Sequence, residues 1–89
     1  MKYKVLFTEK SKKQLSKLDK PTAKLITSWI MKNLQDCENP RLYGKGLTAN
    51  RSGQWRYRVG DYRLLADIQD EKVIILIIEI GHRREIYKN

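Results

Sequence analysis

The chain has 89 residues, and its 19 Lys and Arg against 10 Asp and Glu give a net charge of +9 at neutral pH. Hydrophobic residues make up 40% and charged residues 33%, which excludes a disordered polar chain and fits residues 1–89 as a single domain with one core. The longest apolar run, Val73 to Ile78, is far short of the ~20 residues of a membrane span, and the start of the chain carries no apolar signal segment. Cys37 and His82 stand alone in their residue types, which excludes an internal disulfide and argues against a Cys- or His-built metal site. A cytoplasmic domain without metal or cofactor and without a membrane role is the expectation. So small and basic a domain attracts polyanions or acidic protein segments, nucleic acid foremost.

In chain order, Tyr3, Val5 and Phe7 alternate with Lys2, Lys4 and Leu6, the pattern of a half-buried strand. Thr8 can cap a short basic helix reaching about Leu18, and Asp19-Lys20-Pro21 restarts the chain into a second helix. That helix carries Leu25, Ile26, Trp29, Ile30, Leu34 and Cys37 at helical spacing, so one face is apolar. Residues 41–53 read as a loop. Trp55, Tyr57 and Val59 then alternate with Arg56 and Arg58, and Tyr62, Leu64, Ala66 and Ile68 with Arg63, Leu65 and Asp67. Gly60-Asp61 fits the two-residue loop of a hairpin between them. The nearly unbroken apolar run from Val73 to Ile80 reads as an interior strand, buried on both faces, followed by a short basic tail. The expected fold is α+β: β-α-α-β-β-β, a helical hairpin on a small, mostly antiparallel four-stranded sheet.

The two basic residue types are segregated. All seven arginines follow Pro40, whereas eight of the twelve lysines fall in the first 24 residues. Lysines such as Lys10, Lys12, Lys13, Lys17 and Lys24 read as a solvated helix face. The arginines read differently. If Gly60-Asp61 closes the hairpin, Arg58 lies directly opposite Arg63, and Arg56 shares their face. Two like charges ~5 Å apart at an effective dielectric of 20 repel by about 3 kcal/mol, less with salt. A fold that needed only its core has no use for this pairing; a phosphate site does, because arginine forks onto two oxygens and stays charged. Trp55 and Tyr57 fall on the core side, Cys37 reads as a small apolar residue of the second helix, and Glu79 and Glu85 read as carboxylates that orient arginines.

The stretch Gln54-Trp55-Arg56-Tyr57-Arg58-Val59-Gly60-Asp61-Tyr62-Arg63-Leu64, the apolar strand, and Gly81-His82-Arg83-Arg84-Glu85-Ile86-Tyr87 together resemble the RelE/ParE toxin superfamily, most of all its RelE-like branch. The resemblance runs over nearly the whole chain. It implies the toxin of a type II toxin–antitoxin module, a metal-free endoribonuclease that cuts mRNA in the ribosomal A site and is held inactive in a hetero-oligomer with an acidic antitoxin. In that chemistry a 2′-OH attacks the adjacent phosphate. Carried over position by position, the resemblance implies catalytic roles for Arg56, Arg58, Arg63, Arg83 and Tyr87. His82 joins them as the one side chain of a type that titrates near neutrality, and Arg51, Arg84 and Lys45 are candidate phosphate contacts. Two departures bear on mechanism. Arg56 and Arg58 stand where relatives often carry lysine and cannot act as bases, since guanidinium deprotonates only above ~12. The Arg83-to-Tyr87 spacing is also short. Two alternatives share the fold: a ParE-like inhibitor of topoisomerase, and a non-catalytic RNA- or ribosome-binding module.

Overall fold

A computed structural model describes residues 1–48 and 53–86 of the chain. The alternating segments form the strands β1 (Lys4–Phe7), β3 (Trp55–Val59), β4 (Tyr62–Gln69) and β5 (Ile74–His82). The helices are α1 (Glu9–Ser16), α2 (Lys20–Asn33) and a short α3 (Arg83–Ile86). A fifth strand, β2 (Lys45–Gly46), completes a sheet of order β1-β5-β4-β3-β2 in which only the β1–β5 pair is parallel. The expectation of four strands is therefore corrected to five, and the tail begins later than read, because β5 runs on through Gly81 and His82.

The apolar stripe of α2 decides which face of the sheet is covered. Ile26, Ile30 and Leu34 pack against Tyr57, Val59, Leu64, Ala66, Ile75, Ile77 and Ile80 in one cluster, with Trp29, Trp55 and Cys37 at its margin. Each such side chain contributes roughly 1.5–3 kcal/mol on full burial, so this cluster dominates the stability of the sheet. In β5, Leu65 faces Glu79 while Ala66 faces Ile77, so Ile78 is an extra residue. The bulge turns both Ile77 and Ile80 to the core, three positions apart, and sends Glu79 to the other side.

β1 is shorter than β5, and α1 takes over the uncovered edge. Thr8 Oγ1 accepts from the Ser11 N–H and donates to the Ile78 carbonyl, both at 3.1 Å. Ser11, fully buried, donates to the Ile77 carbonyl at 2.8 Å, and Gln14 Oε1 accepts from the Ile80 N–H at 2.7 Å. Polar side chains three residues apart on α1 thus take the place of a strand edge.

The segment before β2 is fastened to the sheet by several polar anchors. Tyr57 Oη donates to the Pro40 carbonyl and Trp55 Nε1 to the Tyr43 carbonyl, each at 2.6 Å. Arg41 forks onto both oxygens of Asp70 at 3.0 Å, and Tyr3 Oη donates to the same carboxylate. Those hydrogen bonds hold the Asp70 carboxyl below the usual carboxylate range, so the fork persists at neutral pH and is lost only in acid. Gly44 sits at φ +81, where an added Cβ would lie 2.1 Å from the Arg56 carbonyl oxygen. Only glycine lets this segment come so close to β3.

Thr8→Ala removes both the α1 cap and the Ile78 bond. It should cost about 1–2 kcal/mol and lower Tm by several degrees, measured by thermal denaturation. An unchanged Tm would mean that the β5 edge does not depend on α1.

Candidate nucleic-acid interface

The register needed for the arginine row is present. Val59 pairs with Tyr62, Arg58 with Arg63, and Arg56 with Leu65, across a loop in which Gly60 adopts φ +60. Because Tyr57 and Val59 point into the core, Arg56 and Arg58 must point the other way, onto the sheet face away from α2. Lys45 of β2 lies opposite Arg56, so the row crosses three strands: Lys45 and Arg56, then Arg58 and Arg63. A shallow cavity of about 230 Å³ is lined by Gly44, Lys45, Arg56 and Arg58.

Arg63 differs from the other arginines in its burial. It is only 5% exposed, whereas Arg58, Arg83 and Arg84 are exposed to solvent. Its Nη1 reaches the Gly60 and Tyr62 carbonyls at 3.4 and 3.3 Å, and its buried Nε has no hydrogen-bond partner among the described residues. Among the described residues, none of the ion pairs includes Arg58, Arg63, Arg83 or Arg84. A buried guanidinium facing a second guanidinium and held only by long bonds to carbonyls is an electrostatic deficit that an anion would correct. Nothing in the alternation of β4 signalled this burial, since Arg63 falls on the open face by pattern.

The remaining candidates divide. The backbone N–H of Arg83 donates to the Asp61 carbonyl at 2.8 Å, which fixes the start of α3 beside the hairpin loop and brings Arg83 to the same end of the sheet as Arg58 and Arg63. His82 pairs with Tyr62, and the two rings meet edge to face with centroids 5.5 Å apart. It therefore sits on the side of Tyr62, across the sheet from the arginine row. Its Nδ1 accepts from the Arg84 N–H at 3.2 Å, which leaves the proton of the neutral ring on Nε2, so His82 offers a donor. Glu79 lies 3.5 Å from Lys10 of α1. Tyr57 is a core residue and Trp55 packs against the core from its margin, both on the expected side, and burial pushes the Tyr57 hydroxyl well above its usual pKa. Arg51, Tyr87 and the side chain of Glu85 lie outside the described residues. Sequence reasoning missed the bracing role of Arg41 and the edge-capping role of Gln14; the polar ridge Thr8, Ser11, Gln14 was the available signal for the second.

The family model described as the ParE toxin of the type II toxin–antitoxin system, parDE, matches residues 5–87. The chain belongs to this family, within the RelE/ParE superfamily. It is 32% identical to toxin RelG of Mycobacterium tuberculosis over 88 residues, which is 99% of each chain. Among solved structures, the RelBE2 toxin–antitoxin complex of M. tuberculosis superposes with a TM-score of 0.84 at 29% identity, covering 96% of this chain and 95% of that one. The isolated RelE toxin of E. coli gives a TM-score of 0.72 at 24% identity over 90% of this chain and 83% of its own, a likeness of fold. The protein is thus a toxin of the type II toxin–antitoxin class. No helix among the described residues is long and apolar enough to cross a membrane.

The buried arginine yields a stability prediction for this toxin. Arg63→Met keeps a long apolar stem and removes the charge opposite Arg58, so Tm in phosphate-free buffer should stay level or rise, by up to about 1–4 kcal/mol of stability. A clear fall in Tm would mean that Arg63 is a structural residue.

Proposed function

We propose that this toxin is an endoribonuclease that cleaves mRNA on the ribosome, with the scissile phosphate seated on the arginine row. The observation that carries this reading is the Arg58–Arg63 pair, a cross-strand repulsion with a buried guanidinium, beside Arg83 at the same end of the sheet. Cleavage begins when the 2′-OH loses its proton and its oxygen attacks the adjacent phosphorus. The P–O5′ bond then breaks, leaving a 2′,3′-cyclic phosphate and a 5′-oxygen that takes up a proton. Negative charge on the phosphoryl oxygens peaks between those steps. Fixed guanidinium groups meet it without reorganisation, which is the largest resource for such a reaction. The dependence on a 2′-OH restricts cutting to RNA.

Arg56, Arg58 and Arg63 supply charge and no base. Tyr87, at the family's tail position, is assigned the proton-transfer role in the attack. His82, with its Nδ1 taken by the Arg84 N–H, is suited to donate a hydrogen bond from Nε2. Lys45, Arg51 and Arg84 extend the contact to neighbouring phosphates. The relatives solved as toxin–antitoxin complexes support an acidic antitoxin as the partner that neutralises a +9 domain, in a hetero-oligomer that forms more slowly as salt rises. The ParE description of the matching family favours a second reading, inhibition of a topoisomerase by protein contact.

Incubation with programmed ribosomes, followed by primer extension, separates the two. The first reading predicts discrete cuts within the codon in the empty A site, reduced about 10²-fold or more by Arg58→Ala or Arg83→Ala in folded protein. Intact mRNA alongside inhibited DNA gyrase would contradict it and support the second.

A further inference from the structure

A concavity of about 380 Å³ lies outside the arginine row. It opens where the C-terminal end of α1 meets the ends of β4 and β5, and Gln14, Lys17, Leu18, Tyr62, Glu79 and His82 line it. Its volume is at the lower end of the ~300–1,000 Å³ of ligand pockets, the size of one small planar group rather than a peptide. The lining is of mixed chemistry. Tyr62 and His82 form an edge-to-face aromatic wall, and Leu18 adds an apolar surface. Gln14 spends its carbonyl oxygen on the Ile80 N–H, so its amide hydrogens are what remain for a ligand. Glu79 brings a carboxylate, only 16% exposed and placed by Lys10, and the ammonium of Lys17 brings a positive charge. A π surface beside one neutral donor, one acceptor and one cation matches the face and edge of a nucleobase, and the larger stacking area favours a purine.

The pocket also lies where an RNA strand on the arginine row would place its next base. Tyr62 adjoins Arg63 in β4, and alternation sends the two to opposite sides, while His82, the last residue of β5, shares the side of its partner Tyr62. The pocket and the row are therefore the two sides of one strand end. A chain crossing that end leaves its phosphate with Arg63 and turns its base toward Tyr62 and His82.

We infer that this pocket is a base-binding subsite that receives an unstacked purine from the nucleotide flanking the arginine-bound phosphate. The inference rests on the proposed RNA-binding reading of the arginine row, and the two can fail separately. The test is an NMR titration of the isotope-labelled full-length chain with a purine dinucleotide whose 2′-OH is methylated to prevent attack, and with the same molecule lacking one base. The dinucleotide should shift the rings of Tyr62 and His82 and the guanidinium of Arg63, and the abasic analogue only the guanidinium. The dinucleotide should bind about tenfold tighter, the worth of one stacked base. Lys17→Ala, at an exposed position, and Leu18→Trp, which fills the cavity, should each remove that preference without removing the Arg63 response. Two variants guard against a folding defect in one, checked by Tm. Arg63 shifts of equal size with both ligands, with silent Tyr62 and His82 rings, would overturn the subsite and leave the phosphate reading standing. Ring shifts without any Arg63 response would uphold the pocket and overturn the arginine row. Silence everywhere would overturn both, and equal binding of a pyrimidine dinucleotide would overturn the purine assignment.

Discussion

Arg58 and Arg63 face each other across two paired strands, and the geometry of the molecule follows from the need to tolerate that contact. Their repulsion is of the order of 3 kcal/mol at most in a partly solvated setting. The other side of the same hairpin buries Tyr57, Val59, Leu64 and Ala66 against α2. At roughly 1.5–3 kcal/mol for each large side chain, the core term exceeds the repulsion several-fold. A slip of one residue would relieve the arginines but expose all four core residues, so the register holds. The apolar face fixes the hairpin, and the hairpin fixes the charge.

The surrounding elements reinforce this arrangement. Arg41, Tyr3 and Asp70 tie the segment before β2 to the far end of the sheet, and Gly44 lets Lys45 settle opposite Arg56. The bulge at Ile78 removes Glu79 from the core side, and Lys10 holds its carboxylate toward α1. With guanidinium in place of ammonium at Arg56 and Arg58, the charge of the row persists at every physiological pH. The placement of His82 on the other side of the strand end keeps its ring apart from that charge.

Much of this was legible in the residues. The two-residue loop at Gly60-Asp61 and strict alternation on either side determined the register of β3 and β4, and the apolar spacing of α2 identified the face it covers. The family could be recognised from the same hairpin and the Gly81-to-Tyr87 tail. Other features had no local signature. β2 is two residues long and exists because Trp55 and the Arg56 backbone hold it, so no periodicity could announce it. The burial of Arg63 depends on what packs around the open face, since its pattern position alone reads as solvent. The pocket at Tyr62 and His82 needs α1 to lie along the end of β5, a contact made through Gln14 and invisible in strand patterning.

The central claim is that the arginine row is an anion site whose repulsion a phosphate relieves. Thermal denaturation in phosphate against chloride at equal ionic strength tests it most directly, with Arg63→Met beside the parent. A bound ligand stabilises by RT ln(1 + [L]/Kd), about 2.7 kcal/mol at a hundredfold excess over Kd. The account predicts a phosphate-specific rise in Tm for the parent that saturates with concentration and is absent in Arg63→Met. Equal Tm values in the two salts, or the same rise in both proteins, would contradict it.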